Sequence, residues 1–178
     1  MAGIVDLNSD LGESFGAYTI GMDSDVMKHV TSANIACGWH AGDPLIMNST
    51  VAEALKNGVA VGAHPGYPDL IAFGRRNIDI TPAEAKAYML YQVGALEAFA
   101  RANGVKLQHI KLHGAFYNTA CVKPDLAEAI VEVIENTYGK EIILMALSGS
   151  YLLKKADEKG LRVAHEVFED RAYNRSEE

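Results

Sequence analysis

Histidine side chains recur directly after short apolar runs along the chain. His40, His64 and His113 each follow a different one of these runs. Imidazole and carboxylate groups gathered around one cleft can transfer protons or hold a divalent metal ion. We therefore expect at least two of the three histidines to lie in one site, although hydrogen bonding to loop backbone is the alternative interpretation. His29 and His109 lack this setting and are interpreted as structural or surface residues.

The first predicted strand is followed by polar groups at alternating positions. Asp6, Asn8 and Asp10 would share one face of an extended segment. Two carboxylates that approach closely can hold a cation, or raise one pKa enough for acid–base work. Asp6 and Asp10 are therefore predicted metal ligands. An Asx-type turn at the strand end is the alternative, and Glu13, just beyond, is ambiguous.

Cationic groups near the same strand ends offer a way to bind anions. Arg75 and Arg76 lie in a Gly/Pro-rich loop, where paired guanidinium groups could clamp a carboxylate or a phosphate, or form an ordinary solvated face. Lys111 is a cation of the site only if it faces inward. Cys37 is interpreted as a small buried cysteine, not a nucleophile. No G-x-x-x-x-G-K-[ST] phosphate loop occurs.

Short β-branched runs alternate with longer segments of helical period, which is typical of βα units around a parallel sheet. Polar groups at nearly every strand end indicate an enzyme, because functional groups gather at the carboxyl edge of such sheets. A full eightfold barrel takes about 250 residues, so this chain predicts a smaller or incomplete barrel. The predicted strands are Gly3–Leu7, Ser32–Ala36, Val59–Gly62, Leu107–Leu112, Ile142–Ala146 and Arg162–Ala164.

Helices are predicted between these strands from apolar stripes and from cap signals. Apolar residues repeat at helical spacing over 47–55 and 126–134. The helix between the third and fourth strands has the clearest start, with Thr81 as N-cap, Pro82 at the first position and Glu84 at the third. It is predicted to end at Asn103, before a glycine.

Composition excludes several classes of protein. The 178 residues carry a formal net charge of −7, which argues against a general nucleic-acid binder, and 49% of them are apolar, enough for a packed core. We expect one domain over 1–178 and a soluble cytoplasmic protein, because the longest apolar run, Ile142–Leu147, is too short to cross a bilayer. Cys37 and Cys121 show no disulfide or zinc-site spacing.

Five stretches of polar and glycine-rich sequence follow one another along the chain. They are DLNSDLGESFG (6–16), SANIACGWHAGDP (32–44), VGAHPGYPDL (61–70) with FGRR (73–76), KLHGAFYN (111–118) and EVFEDRAY (166–173). Together, in this order, these motifs resemble the LamB/YcsF family. The resemblance implies a distorted parallel β/α barrel of the glycoside hydrolase/deacetylase type. It also implies ATP-dependent opening of 5-oxoproline to glutamate, in a complex with two other 5-oxoprolinase subunits.

The resemblance also implies site residues in each motif. A sensible division of roles has Lys111 and Arg75 stabilising phosphoryl charge, while His64 or His113 activates water together with Asp10. ATP would bring Mg²⁺, with acidic strand-end groups as ligands. The implied catalytic residues are Asp10, His64, His113 and Lys111, and the implied substrate- or nucleotide-binding residues are Asn8, His40, Asp43, Arg75, Asn118, Glu166, Asp170 and Arg171.

The chain departs from the family pattern in three places. Ala72 and Leu112 stand where the family usually has Gly and Pro, and family members continue well past residue 178. We expect a missing closing element to leave an exposed sheet edge that favours partner binding or homo-oligomers. Two other functions stay open. One is a metal-dependent amide or carbohydrate deacetylase, which bound Zn²⁺ would favour, and the other is a non-catalytic binding subunit left by truncation.

Overall fold

A computed structural model describes residues 5–168 of the chain, and six parallel strands form its sheet. The strands lie side by side in sequence order and curl into a half-barrel surrounded by helices, which confirms the predicted class of fold. The strands are β1 (Asn8–Leu11), β2 (Ser32–Ala36), β3 (Ala60–His64), β4 (His109–Lys111), β5 (Ile143–Leu147) and β6 (Arg162–Glu166).

The helices cover one face of this sheet. α2 packs against α3, α3 against α5, and α5 against α6. Within residues 5–168, none of the helices combines the length and the apolarity that crossing a bilayer requires. The helices are α1 (Asp23–Val26), α2 (Pro44–Asn57), α3 (Pro82–Ala102), α4 (Gly114–Val122), α5 (Pro124–Tyr138) and α6 (Tyr151–Glu158).

The two faces of the sheet differ in chemistry because side chains alternate along each strand. Ile35, Val61, Ile110 and Leu144 are fully or almost fully buried and belong to the core shared with the helices. The opposite face carries polar side chains at its paired positions: Asp10 lies beside Asn34, Asn34 beside Gly62, and Gly62 beside His109. The inner face of the half-barrel is therefore polar across its first four strands.

The predicted start of α3 is confirmed. The Thr81 hydroxyl accepts a hydrogen bond from the Glu84 amide, and the Glu84 carboxylate accepts one from the Thr81 amide. This capping box satisfies two backbone donors that would otherwise have no partner. The helix ends at Ala102, with Asn103 as its C-cap, as expected from the Asn-Gly pair.

The prediction for the first strand is wrong. Of Gly3–Leu7, residues 3 and 4 lie outside the described part, 5–7 are not strand, and β1 begins at Asn8. The polar segment can form a strand because its side chains find partners on β2: the Asn8 amide donates to Ser32 Oγ and Asn34 Oδ1. The third strand also extends to His64, beyond its predicted end at Gly62.

Candidate active site

The carboxyl ends of the strands and the loops that follow them bring titratable groups from distant segments together. β1 supplies Asp10, β3 supplies His64, β4 supplies Lys111 and β6 supplies Glu166. The loops after β1, β2 and β4 add Glu13, His40 and His113. The parallel topology explains this convergence, because all strands end at the same edge of the sheet.

Asp10 is a carboxylate with three partners. Its Oδ1 accepts hydrogen bonds from Asn34 Nδ2 at 2.7 Å and from Lys111 Nζ at 3.2 Å, and its Oδ2 lies 3.4 Å from His64 Nε2. Burial by itself would raise the pKa of Asp10. The charges of His64 and Lys111 and the hydrogen bonds outweigh burial and hold this pKa well below its usual value. Asp10 is therefore ionised at neutral pH.

Lys111 faces into the site, which answers the question that the sequence left open. Its side chain is 8% exposed, and Nζ lies 2.6 Å from Glu166 Oε1 as well as 3.2 Å from Asp10. Tyr117 donates a hydrogen bond to the other oxygen of Glu166, at 2.6 Å. Burial favours the neutral amine, but the two carboxylates raise the pKa of Lys111, so it remains an ammonium ion.

The three predicted histidines lie together. His64 Nδ1 is 2.8 Å from the carbonyl oxygen of Lys111, and His113 Nε2 is 2.7 Å from that of Phe73. The remaining nitrogens of these two rings, His64 Nε2 and His113 Nδ1, are 3.0 Å apart. The ring of His40 stacks on that of His113, with centroids 3.6 Å apart and planes inclined by 2°.

Burial keeps two of these imidazoles neutral. It lowers the pKa of His113 to about 3, and the repulsion that protonated His113 would meet from protonated His64 or His40 adds to the effect. It also lowers the pKa of His40, whose Nε2 lies 3.1 Å from Glu13 Oε1 and whose Nδ1 has no hydrogen-bond partner. Burial raises the pKa of Glu13. Neutral imidazoles are the form that binds metal ions.

Two glycines allow backbone to approach the histidines. A Cβ at Gly74 would lie 2.8 Å from both His113 Cδ2 and His40 Cβ, and one at Gly66 would lie 2.7 Å from His40 Nδ1. The buried Gln92 amide holds Gly66 in place, accepting from its amide and donating to its carbonyl. The loops that carry Gly66 and Gly74 therefore pack closely against the stacked rings of His40 and His113.

Four of the side chains could hold a metal ion. One ligand atom from each lies within 4.8 Å of the others in the set of Glu13, His40, His64 and His113. The metal ligands predicted from sequence, Asp6 and Asp10, are not in this set. Asp6 instead accepts hydrogen bonds from the hydroxyls of Thr31 and Ser32.

Several predicted binding residues lie in structural interactions. Asn8 bonds to Ser32 and Asn34, as described above. Asp43 is the N-cap of α2 and accepts from the amides of Leu45, Ile46 and Gly16. The role of these residues in binding stays a prediction.

The arginine pair divides between two settings. Arg76 forms a two-pronged ion pair with the buried Asp69, while Arg75 is exposed with its guanidinium 5.6 Å from the centre of the Phe73 ring. A paired anion clamp is therefore not formed by these two side chains. Asn118 is exposed on α4. Asp170 and Arg171 lie outside the described residues.

Sequence reasoning left the role of Glu13 ambiguous and missed two further contributors to the site, Asn34 and Tyr117. Asn34 is fully buried; its amide donates to Asp10 and Asn8, and its carbonyl accepts from Asn8 and lies 2.7 Å from His109 Nε2. The register of β1 and β2 was the available signal, because it puts Asn34 beside Asp10. Glu13 and Tyr117 depend on loop and helix directions that spacing does not give.

Comparisons with known proteins place this geometry in a family. A sequence model described as LamB/YcsF family matches residues 5–178. Proteins from Fusobacterium nucleatum and Pyrococcus horikoshii that are named as 5-oxoprolinase subunits are 65% and 62% identical over 170 residues. Each match covers 96% of this chain but 66% of the relative, so the chain spans just under two thirds of the length of these proteins.

A solved structure shows the same fold. The crystal structure of the lactam utilization protein from Thermus thermophilus superimposes with a TM-score of 0.94 at 46% sequence identity. The match covers 97% of this chain and 70% of that chain.

Proposed function

From the premise that this chain belongs to the LamB/YcsF family, we propose that it is one of the subunits of an ATP-dependent 5-oxoprolinase. The complex would open 5-oxoproline to glutamate and contain two other subunits. The observation that carries the proposal is the contact of Asp10 with both His64 and Lys111, in a chain 65% identical to a protein named for 5-oxoprolinase. We also propose that residues 1–178 fold as one domain.

The residues of the pocket have chemistry that suits hydrolysis of a cyclic amide. His64 Nδ1 donates to the Lys111 carbonyl, so Nε2 carries the lone pair of the neutral ring and accepts a proton from the attacking water. The Asp10 carboxylate, 3.4 Å from Nε2, stabilises the imidazolium that forms. The Lys111 ammonium offsets negative charge that develops on the lactam oxygen.

The described pocket does not itself fit a nucleoside triphosphate. Asp10, Glu13 and Glu166 surround it, and its buried cation, Lys111, is already paired with two of these carboxylates. The chain also lacks a Walker-type phosphate loop. When bound, ATP would supply phosphoryl activation of the lactam oxygen. We propose that the nucleoside and the two phosphates next to it bind outside this pocket, so that only the terminal phosphoryl group reaches the lactam oxygen.

The test is the formation of glutamate by the assembled complex. The chain is co-expressed with its two partner subunits, and glutamate released from 5-oxoproline is measured with and without ATP. We expect ATP-dependent turnover that falls by about 100-fold or more in Asp10→Asn, the size of effect typical of a lost acid–base partner. The control is His29→Gln, an exposed histidine far along the chain from the site residues.

Each outcome of this test is informative. An assembled complex that releases no glutamate from 5-oxoproline refutes the proposed function. Full turnover in Asp10→Asn leaves the function standing and refutes the role given to this carboxylate.

The cluster of Glu13, His40, His64 and His113 favours a second candidate, a metal-dependent amide or carbohydrate deacetylase. This enzyme would work without ATP and without partner subunits. Release of acetate from N-acetylated sugars or amides by the metal-loaded chain alone would support it. Strict dependence of turnover on ATP and on the partners would exclude it.

A further inference from the structure

Two histidines of the pocket present lone pairs to each other. Carbonyl oxygens only accept hydrogen bonds, so His64 Nδ1, 2.8 Å from the Lys111 carbonyl, and His113 Nε2, 2.7 Å from the Phe73 carbonyl, both carry protons. In the neutral rings the lone pairs then lie on His64 Nε2 and His113 Nδ1. These atoms are 3.0 Å apart, a distance at which two acceptors repel unless a cation or a proton lies between them.

Carboxylate oxygens border the same point. Glu13 Oε1 lies 3.8 Å from His113 Nδ1, and Asp10 Oδ2 lies 3.4 Å from His64 Nε2. All four atoms are acceptors in this arrangement. A proton on either imidazole nitrogen would form a hydrogen bond to one of the other acceptor atoms, whereas a metal ion can bind several of these atoms at once.

The charge balance also favours a divalent cation. Among residues 5–168, Asp10, Glu13 and Glu166 face a single buried cation, Lys111, which pairs with the first and the last. Two negative charges are left in a largely buried pocket. Arg75 acts on Glu13 only from an exposed position, where water screens it. A buried charge without a partner is costly, so two added positive charges stabilise the pocket.

We propose that this pocket binds one divalent transition-metal ion of the zinc class through His64 Nε2, His113 Nδ1 and Glu13 Oε1. Bonds of about 2.0–2.1 Å in a tetrahedral site put ligand atoms about 3.3 Å apart. The observed separations of 3.0 Å between the two nitrogens and 3.8 Å from His113 Nδ1 to Glu13 Oε1 bracket that value. The rings of His64 and His113 are nearly perpendicular, so both planes can contain the same ion.

His40 is excluded as a ligand by its stacking. The lone pair of an imidazole nitrogen lies in the plane of its ring, and the planes of His40 and His113 are parallel with ring centres 3.6 Å apart. An ion in the plane of His113 therefore lies well out of the plane of His40. His40 Nε2 instead donates to Glu13 Oε1 at 3.1 Å and positions this ligand, as outer-shell partners do.

The donor set selects the class of metal. Two imidazole nitrogens and one carboxylate suit Zn²⁺, Co²⁺ and similar ions, whereas Mg²⁺ and Ca²⁺ prefer oxygen donors throughout. Three protein ligands leave a fourth position open, as in hydrolytic metal sites. Asp10 Oδ2 lies 3.4 Å from His64 Nε2 but is not part of the group whose ligand atoms all lie within 4.8 Å of one another.

The experiment measures metal binding directly. The purified full chain is stripped with a chelator, then titrated with Zn²⁺, with Co²⁺ as a spectroscopic probe and with Mg²⁺ as a comparison. We expect one equivalent of Zn²⁺ and a Co²⁺ visible spectrum that Zn²⁺ abolishes. His113→Gln, His64→Gln and Glu13→Gln should each weaken Zn²⁺ binding by more than about 100-fold, the upper end of what loss of an outer-shell partner costs.

The matched variant is His40→Gln, which keeps a donor toward Glu13 and should weaken binding by only about 10-fold. His29→Gln, outside the pocket, should bind as the parent does. Circular dichroism checks that each variant is folded, and Glu13→Gln, on a partly exposed loop residue, provides the ligand variant with the smallest risk to folding. Equal losses in His40→Gln and His113→Gln overturn the ligand set.

If the folded parent chain binds well under one equivalent of Zn²⁺, the proposed metal site is refuted. A proton between His64 Nε2 and His113 Nδ1 then explains their short distance. The inference rests on the proposed function and changes one role in it: a metal-bound His64 Nε2 has no lone pair left for the proton of the attacking water, so Asp10 Oδ2, 3.4 Å away, takes that proton instead. Its readout is metal content, not glutamate. A chain that binds Zn²⁺ but supports no ring opening in the complex therefore refutes the proposed function alone.

Discussion

The pocket has two halves that differ in how their charges are balanced. In the ion-paired half, Lys111 lies between Asp10 and Glu166, and each charged group has an opposite partner. In the imidazole half, His64 Nε2 and His113 Nδ1 face each other without a donor between them. In the first half protein groups pair with protein groups, whereas in the second half we propose a metal ion between the two nitrogens. The same sheet edge thus holds an ion-paired group, to which we assign both catalysis and stabilisation of the fold, and an imidazole group, to which we assign metal binding.

Removing the cation of the ion-paired half should have the largest effect. Lys111→Met leaves Asp10 and Glu166 without their shared partner, and we expect the free energy of unfolding to fall by about 3 kcal/mol, the lower end for broken buried pairs, because Asp10 is partly exposed. Urea unfolding measures this. Lys123→Met, which breaks an exposed and solvent-screened pair with Asp79, should leave the free energy of unfolding nearly unchanged.

A comparable cost in the two lysine variants would show that the ion-paired half does not stabilise the fold. The contrast between the two halves would then be lost.

The buried residue His109, which contacts Asn34 in the sheet, should make the free energy of unfolding depend on pH. Burial lowers the pKa of His109 to about 4, so the native state binds fewer protons than the unfolded state, whose histidine titrates near 6.5. The contribution of His109 to the free energy of unfolding is fully present above pH 6.5 and declines as the pH falls toward 4. We expect a loss of about 2.5 kcal/mol from this residue by pH 4.5. His109→Gln should remove this part of the slope in urea unfolding series, and an unchanged slope would contradict the assignment.

A methyl group added at Gly62 should disturb His109 and, through it, Asn34, which contacts Asp10 of the ion-paired half. A Cβ at Gly62 would lie 2.0 Å from His109 Nε2, the atom that reaches Asn34 across the sheet. Gly62→Ala should therefore displace the ring and cost about 2 kcal/mol. Thermal unfolding measures it. Gly94→Ala, in α3 with open space around its Cβ, should instead stabilise by about 0.5–1 kcal/mol, and a similar loss at both glycines would rule out the clash.

Asp43 lies outside both halves and should show the smallest effect. As the N-cap of α2 it should cost about 1 kcal/mol when changed to Ala and less when changed to Asn, which keeps the cap but cannot accept the hydrogen bond of the Gly16 amide. Urea unfolding compares the two variants. If Asp43→Asn keeps its stability but lowers glutamate formation by the complex more than about 10-fold, the carboxylate binds substrate in addition to capping the helix.

The sequence by itself determined the architecture and the place of the site. The alternation of β-branched runs with helical periods predicts a parallel sheet, and five of the six strands lie where that pattern puts them, within a few residues. Parallel strands all end at one edge, so the approach of His64 and Lys111 follows from topology without knowledge of the loops. The capping box of α3 was also readable, because it is local to four residues.

Only the tertiary structure decided which groups in that edge touch. β1 formed from Asn8 onward because Ser32 and Asn34, more than 20 residues away, satisfy its polar side chains. Asp6 precedes β1 and Asp10 lies within it, yet one bonds to hydroxyls and the other to Lys111. Sequence spacing treats both carboxylates alike, because their partners come from other strands.

The imidazole half depended most on the tertiary structure. The carbonyl oxygens of Lys111 and Phe73 set the positions of the protons on His64 and His113, and a backbone carbonyl leaves no trace in residue type. Glu13 reaches His40 through a loop whose course follows from left-handed Gly12, at φ +71°. The residue types therefore predict that imidazole and carboxylate groups lie in one site. The course of the backbone decides that the lone pairs of His64 Nε2 and His113 Nδ1 face each other without a donor between them.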